Sequence, residues 1–356
     1  MNFRMLWTVS SMAGALLGAG CAGPHGVFTL QPGPPGEQPA MQVWPAAPET
    51  PRYRYAGELL GEINFGEEQA QRSAGVRIVR WLVGVDDDRS RRRTLSRPQG
   101  GVVDRSGRIL VADVGRGGIF VFDTVGGELT YWNQADRGAG FVSPLAVTVG
   151  PNDEIHVSDP ELKRVVRLDR RGQPLGSYGE GLLLRPTGIV RDAAAGLIYV
   201  ADTAAHDIKV FDERYRVVRI LGGPGTEPGR FNAPTFLCLT AGNLVVSDTL
   251  NARVQILRSD GVPVREIGRR GIYVGNLVRP KGVAADDEGN VYVVEGYYDH
   301  LLVFSPQGEL LLPIGGTGTG SGRFFLPGGV WSDPQNRIFV SDVFNGRVAV
   351  FQFLGP

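Results

Sequence analysis

Apolar residues along this chain fall in short β-rich runs broken by polar turns, and one arrangement of runs and turns returns six times. The fullest copy, 326–351, reads LPGGVWSDPQNRIFVSDVFNGRVAVF: a Pro-Gly start, a strand, an Asx/Gly turn, a strand ending in Asp, a polar loop and a third strand. Start prolines at Pro98, Pro144, Pro186, Pro234, Pro280 and Pro327 are spaced by 46, 42, 48, 46 and 47 residues. The acids closing the second strand, Asp113, Asp159, Asp202, Asp248, Glu295 and Asp342, keep nearly the same step. Nine residues after each acid another apolar run ends, at Phe122, Leu168, Phe211, Leu257, Phe304 and Phe351, with no gap. A period of this size marks a propeller, solenoid or array. Runs such as RIFVSD, NLVVSD and LIYVAD predict strands, and DEGN, SDG and PQG predict the turns between them.

Each repeat then forms a blade of four antiparallel strands, with a fourth strand before the next Gly-rich connection. The sixth repeat ends near the C-terminus without room for its own fourth strand. RIVRWLVG at 77–84 resembles RVVRILGG at 216–223, a fourth-strand segment, and has no repeat of its own. Residues 77–84 are therefore expected to pair with 347–351 and close the ring, leaving no open edge. YRYAGELLGEINF at 53–65 alternates enough for a strand but matches no repeat position. Two places after each start proline stand Gly100, Ala146, Gly188, Phe236, Gly282 and Gly329. Small residues suit inner strands crowded at an axis, and Phe236 should narrow the channel on one side.

Composition narrows the partners. The 356 residues carry 37 basic and 37 acidic side chains, a formal net charge of zero. Nucleic acid and anionic membrane are bound mainly through basic excess, so neither is expected as a partner. Two cysteines, Cys21 and Cys238, exclude a disulfide framework, and Cys238 is expected as an inert core thiol. Residues 1–20 read as a signal peptide: a basic start at Arg4, a short apolar stretch, then Gly18, Ala19 and Gly20 before Cys21. That ending resembles a bacterial lipobox, which implies lipidation of Cys21, and Ala22 after it implies outer-membrane delivery. Residues 21–52 are Pro-rich and suit an extended, lipid-anchored tether. The chain divides into signal peptide 1–20, tether 21–52, an extra segment 53–76 and a propeller 77–356.

PKGVAADDEGNVYVVE, SDTLNARVQIL and SDVFNGRVAVF carry a pattern that resembles the NHL repeat, over about 77–356. The resemblance implies an all-β, six-bladed NHL propeller closed by an N-terminal strand. It leaves function open, because NHL propellers bind RNA or proteins and related six-bladed rings include lyases and lactonases. The family's Asn-x-Arg loop stands complete as Asn251 with Arg253 and Asn345 with Arg347, and in half as Arg164. Asp248 and Arg253 are expected to bracket one loop structurally. The first, third and fifth repeats depart, with Arg116 and Gly118, Ala205 and Asp207, and Tyr298 and His300 in those columns.

Loops after the acids and the Gly-rich connections should share one face of the ring, the natural binding surface on a rigid scaffold. Arg116, Pro160, Glu161, His206, Asp207, Tyr297, Tyr298, His300 and Phe344 fall there. Aromatic and charged side chains together suit a protein or peptide partner. For catalysis, His206 and His300 are the candidate metal ligands of a lyase or lactonase at the channel mouth. Zinc needs three or four converging ligands and the chain has only four histidines, one in the tether and His156 in a strand. Calcium on channel carbonyls or acids would be structural. GGTGTGSG at 315–322 lacks the following helix of a phosphate loop and is expected to be a flexible connection, and DDDRSRRR at 86–93 a solvated loop. The reading favoured is a non-catalytic module, without cofactor, that binds an envelope protein or peptide from the periplasmic side and touches the membrane only through its lipid.

Overall fold

The structure is a computed structural model and describes residues 26–33, 42–66 and 93–355. Six antiparallel sheets follow one another around an axis, the first five with their strands in sequence order and the sixth completed by strands from the N-terminal side. Blade one runs from Pro98–Val103 at the axis to Glu128–Trp132 at the rim, and blade two from Ala146–Val149 to Pro174–Tyr178. Blades three, four and five begin with Pro186–Asp192, Pro234–Thr240 and Pro280–Ala285 and end with Val217–Gly222, Pro263–Ile267 and Leu310–Gly315. Blade six holds Pro327–Ser332, Arg337–Asp342 and Arg347–Phe353. Both expected registers hold, because each start proline from blade three onward pairs with its blade's acid, as Pro186 with Asp202 and Pro327 with Asp342.

The ring is closed by an N-terminal strand, but by another one than expected. Tyr53–Leu59 pairs with Arg347–Phe353, with Val348 opposite Leu59 and Phe353 opposite Tyr53. Arg337–Asp342 holds the other edge of that strand, so both edges are filled. Residues 77–84 lie outside the described residues, as do Cys21 and 86–92. The ring thus begins at Tyr53, inside the stretch 53–76 that the sequence set apart. Apolar burial selects this strand: Tyr53 and Leu59 are buried, Tyr53 in the blade five–six core and Leu59 in the blade six–one core.

The Pro-rich stretch is not a bare tether where it is described. Val43–Trp44 adds a fifth strand to blade six beside Tyr53–Leu59, and Trp44 packs edge-on against Phe351, 5.5 Å between ring centroids. Val27–Phe28 pairs with Phe65–Gly66, and Phe28 and Leu30 pack on the core between blades six and one. A short hairpin, Gln134–Asp136 with Ala139–Gly140, interrupts the connection from blade one to blade two.

The core lies between blades, in six clusters built from the alternating inward positions of second and third strands. At the axis the inner strands touch. A Cβ on Gly188 would meet the Thr235 carbonyl at 2.5 Å, and one on Gly329 the Gln99 carbonyl at 2.4 Å, so glycine at these positions permits the approach. Phe236 lines the channel as expected, with Cys238, Thr148, Trp331 and Ser332, around a cavity of about 180 Å³. Cys238 is partly exposed to this channel rather than sealed in the core. Hydroxyls stitch neighbouring blades. Ser158, Ser247 and Ser341, on alternate blades, donate to the carbonyls of Thr187, Lys281 and Gln99 on the next inner strand. Thr203 and Thr249 donate to Pro234 and Pro280 in the same manner, at 2.7 and 2.8 Å.

Candidate functional site

An antiparallel meander puts the second-to-third loops and the blade-to-blade connections on one side of the ring, and the remaining turns on the other. The six acids stand at the ends of the second strands on that loop side, buried, and every one is engaged. Glu295 accepts backbone N–H groups from Val278 and Arg279 in the incoming connection and from Tyr297 and Tyr298 in its own loop. Asp159 accepts from Val142, Ser143, Glu161 and Leu162 in the same way. These carboxylates fix the loops, which is the structural role expected of their column.

The two complete Asn-x-Arg loops show what the motif does. Arg253 donates through Nε to Asp248 (2.8 Å) and through Nη2 to the Glu227 and Arg230 carbonyls, while Asn251 reaches the Gly225 carbonyl. Arg347 and Asn345 repeat this with Asp342 and the carbonyls of Gly320, Arg323 and Gly318. The glycine-rich stretch 315–322 is therefore pinned from below by side chains and is not a slack connection.

Where the motif is abandoned, its parts are replaced. In blade three Asp207 occupies the arginine column, and Lys209 supplies the cation to both Asp202 and Asp207 (3.1 and 2.8 Å). His206 Nδ1 accepts the Ala233 N–H at 3.0 Å, the job Asp299 performs for the Leu326 N–H at 2.8 Å in blade five. His206 is thus committed to its loop by one ring nitrogen. His300 lines a pocket of about 70 Å³ between blades four and five with Tyr298, Ile272 and Val274. Among the described residues no group of three or more His, Cys, Asp or Glu comes together to hold a metal. His156 is wholly buried, as expected of a packed strand residue, between Tyr178 and Tyr215.

The other sequence-predicted residues lie on the loop face with different degrees of access. Tyr297 and Phe344 are each 60% exposed, Arg116 is exposed while donating to the Thr94 carbonyl, Glu161 pairs with Arg185 at 3.1 Å, and Pro160 is buried. Tyr297 stacks edge-on against Tyr298, and Phe344 against Phe325. Sequence reasoning missed Leu250, Ile272, Tyr273, Val274 and Phe325, which are exposed on the same side, Tyr273 at 75%. Their signal was an unusually apolar connection, GIYVGNLV, in a loop that should be polar. Arg279 and Lys281, flanking Pro280 at the channel mouth, were missed too. Burial, and Arg279 beside it, pull the Lys281 ammonium below the usual lysine range against the opposite effect of Asp299 and Glu295. Its stem crosses Gly296, where a Cβ would meet Lys281 at 3.1 Å.

No protein-family profile matches the chain. Protein brain tumor of Drosophila melanogaster is 29% identical over 145 residues, covering 39% of this chain and 13% of that protein. NHL repeat-containing protein 2 of Bos taurus is 27% identical over 166 residues, covering 37% of this chain and 23% of that protein. The chain spans less than a quarter of the length of either relative. Among solved structures, a streptogramin B lyase superposes with a TM-score of 0.55 at 13% identity, covering 73% of this chain and 94% of that one. A gluconolactonase of Xanthomonas campestris gives 0.55 at 15% identity, covering 74% and 89%. At such identities the likeness is one of fold. The ring is a six-bladed β-propeller, and its repeat resembles the NHL repeat. Its sequence relatives include proteins named for that repeat.

Proposed function

We propose that this propeller is a non-catalytic module that binds a protein or peptide across its loop face, and that it works in the bacterial cell envelope, held at the outer membrane by a lipid on Cys21. The observation that carries the binding reading is the run of exposed apolar side chains on that face, from Leu250 through Ile272, Tyr273 and Val274 to Tyr297 and Phe344. Patches of this kind on a rigid, loop-bearing scaffold mark interaction sites. The acids and asparagines beneath are occupied in shaping the loops, so the surface is preformed for a partner. The envelope part rests on residues 1–22 of the sequence.

Selection of a random linear-peptide library on the full chain tests the binding reading. Peptides should emerge whose binding is lost in Tyr297→Ala with Phe344→Ala. Peptides indifferent to those substitutions, or turnover of lactones or streptogramins by the unmodified protein, would displace it. Metabolic labelling with a palmitate analogue tests the anchor, and label persisting in Cys21→Ser would remove it.

A further inference from the structure

The chain is neutral overall, but its loop face is not. From the second-to-third loop of blade four to that of blade six, the loop face comprises residues 249–252, 268–279, 296–299, 316–326 and 343–346. They hold Arg269, Arg270, Arg279 and Arg323, with Lys281 at their inner margin. Their single acid, Asp299, is buried and engaged by the Leu326 N–H and the Thr317 hydroxyl. None of these five cations pairs with an acid among the described residues. Arg270 and Arg323 donate only to the carbonyls of Leu250 and Gly315. Blade two and its connection to blade three differ, since there Arg164 meets Glu180 and Arg185 meets Glu161. The missing acids lie in turns of the opposite face, such as Asp286, Asp287 and Glu288.

Cations and apolar side chains are interleaved in this sector. Arg269 and Arg270 precede Ile272, Tyr273 and Val274 in one loop, and Arg323 precedes Phe325 in another. Arg279 and Lys281 mark the channel mouth below Tyr297, where Gly296 leaves room for the lysine. A ligand that satisfies the sector brings carboxylates and bulky apolar groups at short spacing. Resting on the binding reading above, we infer that blades four to six receive an acidic peptide segment with aromatic or aliphatic anchors, its carboxylates meeting Arg279, Lys281, Arg269 and Arg270. Single-stranded nucleic acid also combines negative charge with stacking. It fits less well, because the whole molecule lacks a basic excess and the aromatics Tyr273, Tyr297 and Phe344 stand among aliphatic Leu250, Ile272 and Val274, which bases cannot stack on. Each exposed pair contributes little alone, so the preference is carried by several cations acting together and weakens with salt.

The same peptide selection on the full chain decides it. The enriched pool should be rich in Asp and Glu beside Tyr, Phe, Leu or Ile. A representative peptide should bind about tenfold or more weakly to Arg279→Gln with Lys281→Gln, and more weakly as sodium chloride rises. Arg216→Gln, on a rim turn of blade three, should bind like the unmodified protein. A neutral or basic pool, lost in Tyr297→Ala with Phe344→Ala but untouched by the charge variants, overturns the acidic preference and leaves the face reading intact. A pool indifferent to both sets of variants, or no enrichment, overturns both. Tighter binding of a uridine homopolymer, lost in the same charge variants, assigns the sector to nucleic acid and overturns the peptide.

Discussion

Arg347 Nη1 donates to Glu58 Oε2 at 2.7 Å across 289 positions of sequence, and both side chains are almost wholly buried, at 3% and 4% exposure. The contact sits on the seam where the first described long strand meets the last. Its counterpart in blade four joins Arg253 to Glu266 at 2.6 Å, with Glu266 well exposed. The two glutamates hold one register position, opposite Ala349 and Gln255. Glu58→Ala should therefore destabilise the protein by about 2–3 kcal/mol, because it strips a buried guanidinium of a charged partner. Glu266→Ala should cost less than about 1 kcal/mol. Urea denaturation of the two variants checks the difference.

The alternate-blade hydroxyls make a second prediction. Ser247→Ala leaves the Lys281 carbonyl without its donor on the inner strand of blade five. A loss of about 1 kcal/mol is expected, with a similar loss for Ser341→Ala, whose acceptor is the Gln99 carbonyl across the closing seam. Thermal unfolding of each variant measures it, and the reverse change at the blade-one equivalent, Ala112→Ser, should not stabilise to match.

Acid should weaken the contact between blades two and three in two stages. Burial holds the His156 imidazole below its usual 6.5 despite the opposing Glu154 carboxylate, while Arg167 and Arg191 reinforce the shift. Burial alone would raise Glu154, but hydrogen bonds from His156, Arg167 and Tyr215 outweigh it and hold the carboxyl down to about 2, from 4.5. In both cases the unfolded chain takes up the proton at higher pH than the folded one. Stability is thus full above about pH 6.5, falls first through His156 and again through Glu154 between about 4.5 and 2. His156→Gln should remove the first stage and keep the second, as read by urea midpoints across that range.

Cys238 provides a chemical check on the channel. Its thiol is pushed up by burial although it lines the axial cavity. Labelling by a thiol reagent at neutral pH should be slow in the native protein and become fast on unfolding, since the thiolate is the reacting species.

Much of the ring was legible because its rules are local. Period, start prolines, closing acids and the Asn-x-Arg loops of blades four and six all recur at fixed offsets, and the structure uses each as the pattern implies. The closing strand was not legible, since pairing over nearly 300 positions leaves no periodic trace. Its cue was a glutamate beside an apolar residue, Glu58-Leu59, matching Glu266-Ile267 in blade four. RIVRWLVG resembled a fourth strand more closely in sequence, yet the strand at the seam is the one that buries Tyr53 and Leu59 and brings Glu58 to Arg347. At the candidate site, exposed Tyr297 and Phe344 could be read from their loop positions. The charge of the sector could not, because a net charge of zero hides arginines gathered on one face and acids on the other.

Peptide binding across the loop face is tested most directly by hydrogen exchange of the full chain, with and without a saturating selected peptide. Protection is expected in 268–279, 296–299, 316–326 and 343–346, with the opposite turns at 259–262 and 286–290 unchanged. Protection confined to those turns, or to the inner strands along the channel, would contradict it.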